Sequence, residues 1–311
     1  MSASDWGRLM KITQDIRRRI IQTAAFGFSN SYAGNFAGGR LYKGSWKQFC
    51  NPGLNCYSCP AARFACPIGA MQAVGGSAKF SVGFYALGFV LALGVVFGRA
   101  ICGFICPFGF MQELLHKIPS PKRRIYKPLT YLKYVILTVF VLVMPALATD
   151  SFGIGSPAFC EFICPAGTLE GGIPMLLTHP ELRAQLGGLF ALKASILIIT
   201  IAGCVVCCRF FCKVMCPLGA IYGLLNKVSF YRVHLDREGC VACGSCASVC
   251  PMDVDPVASP DSAECIRCGK CATACPKHVI SVGFRGFRQD QKIPAFSEKI
   301  REGQIEKCTE K

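Results

Sequence analysis

Eight cysteines near the C-terminal end are spaced for iron–sulfur chemistry. They form two runs, Cys240-x2-Cys243-x2-Cys246-x3-Cys250-Pro251 and Cys265-x2-Cys268-x2-Cys271-x3-Cys275-Pro276. Three thiolates two residues apart wrap a tight loop around one face of an iron–sulfur cube, and a remote fourth closes the opposite corner. In this pattern the fourth cysteine ligates the other run's cluster. One [4Fe–4S] site is therefore expected from Cys240, Cys243, Cys246 and Cys275, and a second from Cys265, Cys268, Cys271 and Cys250. Two such runs fifteen residues apart are not a chance arrangement. The chain moves electrons.

The last part of each run, Cys-x3-Cys-Pro, recurs upstream. A Cys-Pro-x-Gly turn occurs at Cys66-Pro67-Ile68-Gly69, Cys106-Pro107-Phe108-Gly109, Cys164-Pro165-Ala166-Gly167 and Cys216-Pro217-Leu218-Gly219. In three copies a cysteine stands four residues earlier, at Cys102, Cys160 and Cys212. In the first copy Ala62 takes that place, and Cys50, Cys56 and Cys59 crowd nearby. Proline suits the first position of a helix, where no backbone N–H is required, and the glycine lets the backbone approach something bulky. Each copy reads as half of a cluster-binding set within a repeated helix-plus-site unit. Spacing alone does not say which halves share a cube, because the two-cluster pattern splits each Cys-x3-Cys pair.

Apolar helices must position these halves. A hydrocarbon layer about 30 Å thick takes roughly 20 helical residues to cross. Three stretches qualify: Lys79 to Arg99, Leu129 to Ala148, and about Leu186 to Cys208, where Lys193 can snorkel to the nearer surface. Ile20 to Gly39 is a weaker fourth, interrupted by Ser29, Asn30, Ser31 and Asn35, and is open to a surface or re-entrant reading. With 52% apolar residues in 311, the expected fold is mainly α. A polytopic membrane bundle of about four spans fills residues 1–230, an α+β two-cluster domain fills 231–284, and a charged tail with the lone, unneeded Cys308 fills 285–311. No cleavable signal peptide is expected, since the first apolar stretch lacks a small-x-small site.

Charge narrows the partners. The 34 Lys and Arg against 18 Asp and Glu give a formal +16. Each four-thiolate [4Fe–4S] site carries about −2, so four would bring the net to about +8. The remainder suits lipid headgroups and acidic redox partners. Nucleic acid is excluded, because no recognition module accompanies the charge. Twenty-two cysteines in a long, apolar chain point to metal ligation rather than a disulfide framework. Zinc fits the half-motifs poorly; a dithiol–disulfide relay is the main chemical alternative. Cys204, Cys207 and Cys208 read as packing residues. The four histidines, His116, His179, His234 and His278, lie outside the spans, against a bis-histidine haem. No phosphate loop, nucleophile elbow or dinucleotide fingerprint is present.

If all four helices cross, successive repeats alternate faces. Cys102, Cys106, Cys212 and Cys216 then meet on the inner side, and Cys160 and Cys164 join Cys50, Cys56, Cys59 and Cys66 on the outer side. Arg8, Lys11, Arg17, Arg18, Arg19 and the basic Arg99–Lys127 loop favour both termini inside. The Arg40–Lys79 loop, with five basic residues and no acidic one, argues the other way. A reducing cytosol, where clusters are assembled, decides for inside.

Together these features resemble the NapH/MauN-type membrane ferredoxins, which are related to the iron–sulfur core of NosR-type proteins. The stretch Cys50-Asn-Pro-Gly-Leu-Asn-Cys56-Tyr-Ser-Cys59-Pro, running on to Ala65-Cys66-Pro-Ile-Gly-Ala-Met-Gln72, is similar to that family's first block. The resemblance extends from about Arg17 to Ile280. It implies a multi-pass cytoplasmic-membrane protein within a membrane complex, passing electrons between a quinol pool, or a cytosolic ferredoxin or flavoprotein, and a partner redox protein. It carries the family's ligands onto the eight C-terminal cysteines and its membrane motifs onto Cys102/Cys106 and Cys212/Cys216. The outer set exceeds the two membrane motifs of the simplest members and favours a route through the membrane, with up to two further clusters. The leading expectation is a transmembrane conduit, an electron-transfer component rather than a self-contained catalyst. Its difficulty is the layer of about 30 Å between faces, which needs deep clusters or a bridging quinone or flavin. A one-sided quinol dehydrogenase subunit and a cluster-based sensor or assembly factor are the alternatives.

Overall fold

The computed structural model describes residues 3–75, 81–148 and 156–285. The expected tail beyond Arg285, with Cys308, lies outside them. Helices dominate, and the one sheet among the described residues is a ribbon in which Tyr231–Leu235 runs antiparallel to Ile280–Phe284.

Two helices, Lys127–Leu147 and Gly188–Val206, are long and apolar enough to cross a membrane; Tyr85–Phe97 is equally apolar but shorter. Only 28% and 17% of the two long apolar windows are buried. Val135, Leu142, Leu147, Ile198 and Ile199 face outward with no protein partner layer over them, unlike the core helices of a water-soluble domain. Leu137–Val143 widens into π turns just before Pro145. Proline has no N–H to give the preceding turn, and the wider winding absorbs the mismatch.

The weak fourth span does not exist as one unit. Ala3–Ser29 is a single helix, and it stops where Asn30 turns both its backbone and side-chain N–H onto the Phe26 carbonyl, at 3.0 and 3.2 Å. Such local bonds let asparagine end a helix.

That first helix measures the molecule. Asp15 pairs with Lys270 of the C-terminal region at 3.6 Å. Gln22 donates to the Gly103 carbonyl at 3.0 Å, and the Ser29 carbonyl accepts from Arg63 N at 2.9 Å. Each step is seven residues, so at 1.5 Å per residue these three levels stand about 10 Å apart. The C-terminal region, the Cys102 turn and the Cys66 turn are thus stacked in that order.

The core is continuous between the first two levels. Ile101, Phe108, Phe211, Leu218 and Tyr222 pack with Met252, Val254 and Ile266, and Phe108 meets Phe211 edge to face at 5.1 Å. Across this seam Glu264 pairs with Arg99 at 2.7 Å and with Lys133, both cations being fully buried. Asn226 donates to the Ser262 and Cys265 carbonyls, each at 2.8 Å. Glu264→Gln therefore strands two buried cations. Removing one partner of such a network costs about 3 kcal/mol, to be read as a lowered denaturation midpoint in detergent and faster proteolysis at the seam.

Candidate metal centres

The two C-terminal runs are built alike. Ala242, Gly244 and Asp253 in the first have positive φ, as do their counterparts Arg267, Gly269 and His278 in the second. Left-handed residues at these points coil each loop so that backbone N–H groups converge inward, the arrangement that cradles anions. One void is lined by Cys240, Cys243, Cys246 and Cys275, the other by Cys250, Cys265, Cys268 and Cys271. The fourth cysteine of each run has crossed to the other void, as the spacing expects. The second void backs onto the helical bundle through Met252, Val254 and Ile266. At the first, Cys243 stands exposed.

The bundle brings Cys102, Cys106, Cys212 and Cys216 together as a proximal set. Cys106 and Cys216 each cap a helix whose first residue is proline. Their Sγ atoms accept from Gly109 N and Gly219 N at 3.4 and 3.3 Å, so both helices aim their positive ends at the set. The two halves also brace each other reciprocally. Arg99 donates to the Cys212 carbonyl, and Arg209 donates to the Cys102 carbonyl. Glu264 holds Arg99, and Glu113 holds Arg209 at 2.7 Å while also pairing with Arg18 and Arg19. The motif glycine is what admits the braces: a Cβ on Gly109 would stand 3.2 Å from the Arg209 guanidinium, and one on Gly219 3.3 Å from that of Arg99. Burial pushes the Cys102 thiol up to about 11, so loading a thiolate-bound metal there must release protons.

A distal set forms from Cys56, Cys66, Cys160 and Cys164. A Cβ placed on Gly69 would lie 3.8 Å from Cys66 Cβ and 4.0 Å from Cys160 Sγ, and one on Gly167 4.0 Å from Cys164 Sγ, so both half-motifs border the same space. The fully buried Glu170 carboxylate accepts from Cys56 N at 2.8 Å. Of the six outer candidates, Cys59 stands at the edge, its Sγ 4.0 Å from Asn30 Oδ1. Cys50 stands apart, in a backbone bridge with Ala65. Cys204 is buried as packing, with its Sγ 3.5 Å from Gln112 Oε1, and Cys207 and Cys208 join neither set.

The sets are neighbours, where the expected alternation of repeats separates them by a hydrocarbon layer. Residues 51–56 fold back into the bundle and touch both. Leu54 N donates to Cys106 Sγ at 3.3 Å, Phe108 N donates to the Leu54 carbonyl at 3.4 Å, and Tyr222 donates from its hydroxyl to the Pro52 carbonyl at 2.9 Å. Two residues beyond Leu54, Cys56 belongs to the distal set. The reason is steric and polar together: Gly53 has no Cβ to collide with Cys106, and the strap groups at Pro52, Leu54 and Cys56 find partners inside the bundle.

Among the described residues no three His, Cys, Asp or Glu side chains converge on one ion, and the described cysteines are free thiols. Four cysteines brought together with N–H donors aimed at sulfur and buried cations close by fit a cube better than a single ion or a disulfide. Sequence reasoning missed the braces Arg99 and Arg209, although arginine stands three residues before the first cysteine in both repeats. It also missed Gln72 and Gln112, each six residues after a Cys-Pro cysteine.

Comparison with known proteins finds iron–sulfur domains along most of the chain. A 4Fe-4S binding domain model matches three times, at residues 79–126, 135–174 and 189–237, each match holding one Cys-x3-Cys-Pro. A 4Fe-4S dicluster domain matches residues 257–310 and a second 4Fe-4S binding domain residues 233–254. The methylamine utilization ferredoxin-type protein MauN of Methylorubrum extorquens is 32% identical over 50% of this chain and 48% of its own length. The ferredoxin-type protein NapH of Haemophilus influenzae is 25% identical over 52% and 50%. The chain is similar to the NapH/MauN-type 4Fe-4S ferredoxins. An uncharacterized protein of Methanocaldococcus jannaschii is 27% identical over 63% of this chain and 76% of its own. The match spans about half the length of MauN and NapH, and no solved structure matches. With these 4Fe-4S domains the protein binds [4Fe–4S] clusters and is an iron–sulfur electron-transfer protein.

The strap has one vulnerable atom position. A Cβ on Gly53 would lie 2.5 Å from Cys106 Cα. Gly53→Ala should lower stability by about 1–3 kcal/mol through overpacking, whereas Gly188→Ala, with open space around it, should leave the denaturation midpoint unchanged.

Proposed function

We propose that the protein is a membrane-embedded electron conduit whose cluster sites follow one another from the exposed C-terminal loop into the bundle. In order they are Cys240/Cys243/Cys246/Cys275, then Cys250/Cys265/Cys268/Cys271, then Cys102/Cys106/Cys212/Cys216, then Cys56/Cys66/Cys160/Cys164. Bound there, [4Fe–4S] clusters supply one-electron transfer. The observation that carries the reading is the strap 51–56, which touches both bundle sets. With the sets a few residues apart, no quinone or flavin has to bridge them.

The chain's residues supply the rest. The buried Arg99–Glu264–Lys133 network and Asn226 hold the C-terminal domain against the bundle, which suits a fixed relay more than a swinging one. Membrane placement is supported by the outward-facing apolar surfaces of Lys127–Leu147 and Gly188–Val206. In that setting the irregular backbone at 50–66 and 157–172 is tolerable because it is buried in protein. Arg17 to Arg19, Lys122, Arg123, Arg124 and Lys127 lie toward the end that carries the C-terminal domain, which favours that end as cytoplasmic. Exposed Cys243 makes the first site the natural contact for a soluble redox partner, and the distal set, beside exposed Tyr57, the contact for a partner in or across the membrane.

Iron content tests this. Anaerobically purified protein should carry about sixteen iron and sixteen acid-labile sulfide, four of each per cube. Cys106→Ala or Cys164→Ala should each lower both by about four, and Cys50→Ala and Cys59→Ala should leave both unchanged. A wild-type content of about eight would sink the conduit and leave only the C-terminal pair.

A further inference from the structure

Each Cys-Pro-x-Gly turn is followed by a helix, and the residue six places after the cysteine points back across the site. In the four repeats that residue is Gln72, Gln112, Glu170 and Tyr222. Glu170 and Tyr222 bind the backbone of the strap, at Cys56 N and the Pro52 carbonyl. The glutamines do something else. Gln112 Nε2 donates to Cys212 Sγ at 3.0 Å, and Gln72 Nε2 donates to Cys160 Sγ at 3.2 Å. Each sulfur belongs to the first cysteine of the opposite half-motif. Both side chains are buried, Gln72 at 0% and Gln112 at 1% exposure.

The amide is oriented by its other atom. Gln72 Oε1 accepts from Phe159 N at 2.8 Å, and Gln112 Oε1 accepts from Cys212 N at 3.4 Å. A carbonyl oxygen pinned by a backbone N–H leaves the NH2 group facing the sulfur. The same side chain at the same repeat position therefore makes the same N–H contact to sulfur in both bundle sets, with its oxygen held by a backbone N–H at or just before the same cysteine.

We propose that Gln72 and Gln112 are equivalent positioning residues, each setting the reduction potential of one bundle cluster through an N–H aimed at a ligand sulfur. This rests on the reading that both sets hold [4Fe–4S] clusters. One-electron reduction places more negative charge on the cluster and its sulfurs. A hydrogen bond to sulfur is then stronger in the reduced form and raises the potential. In the buried setting no water replaces a lost donor. Gln112 acts on the proximal site and Gln72 on the distal one, so the two potentials are adjustable independently.

The test uses the full-length protein in detergent, with iron analysis and an EPR-monitored redox titration between dithionite and ferricyanide. Gln112→Met and Gln72→Met keep much of the side-chain volume and remove the donor. In each variant one cluster signal should titrate lower, with its reduced-to-oxidised ratio at fixed potential falling roughly tenfold, about 59 mV for a one-electron couple. The signal that moves should differ between the two variants, and the double variant should show both shifts. Full iron with every signal titrating as in the wild type overturns the inference. So does the same signal moving in both variants, or loss of about four iron in place of a shift, which would make the glutamines staples only. A wild-type content of about eight iron is a different failure, since it removes the two bundle clusters and with them the function proposed above.

Discussion

Two fully buried arginines at the heart of the bundle constrain everything around them. An unpaired guanidinium in such a place costs several kcal/mol, so Arg99 and Arg209 must each find a carboxylate and carbonyls inside the protein. The carbonyls come from each other's repeats. Arg99 reaches the Cys212 carbonyl and Glu264; Arg209 reaches the Cys102 carbonyl and Glu113. Satisfying both cations forces the two half-motifs face to face, and the requirement for Glu264 forces the C-terminal domain onto the same end. The proximal site and the domain seam are consequences of one electrostatic demand.

The strap adds a second constraint of a different kind. Residues 51–56 are irregular backbone in an apolar interior, where each N–H and carbonyl needs a partner. Cys106 Sγ, Phe108 N, the Tyr222 hydroxyl and Glu170 provide them. Because those partners come from both sets, the strap can be satisfied only if the sets are adjacent. A sequence arrangement that reads as alternating faces thereby folds into neighbouring levels. The wide turns at Leu137–Val143, Phe159–Ile163 and Gly167–Gly172 are where the helices give up regular winding to permit it.

Much of the local chemistry was legible in the residues. Proline at the first helical position, cysteine as the cap and glycine at the point of closest approach all follow from the Cys-Pro-x-Gly pattern, and the structure has them at Cys106 and Cys216. The crossed partition of the two C-terminal runs was legible for the same reason. The helix end at Ser29 was not, because competition between Asn30 and continued winding is decided by a few tenths of a kcal/mol of local bonding. The exclusion of Cys50 and Cys59 from the distal set was also hidden, since six cysteines within reach of one site differ only in how the strap curls. Arg99, Arg209, Gln72 and Gln112 did leave a trace, as equal offsets from cysteines in separate repeats.

By itself the sequence determined the chemistry and its half-units: thiolate spacing, helix caps and apolar helices are matters of contacts within a few residues, which composition and order dictate directly. Only the tertiary structure decided which halves face each other and how far apart the resulting sites stand. Those depend on long-range partners for buried charge and buried backbone. Such partners lie more than a hundred residues away in the cases of Arg99 with Glu264 and Cys56 with Glu170, beyond what any spacing rule can reach.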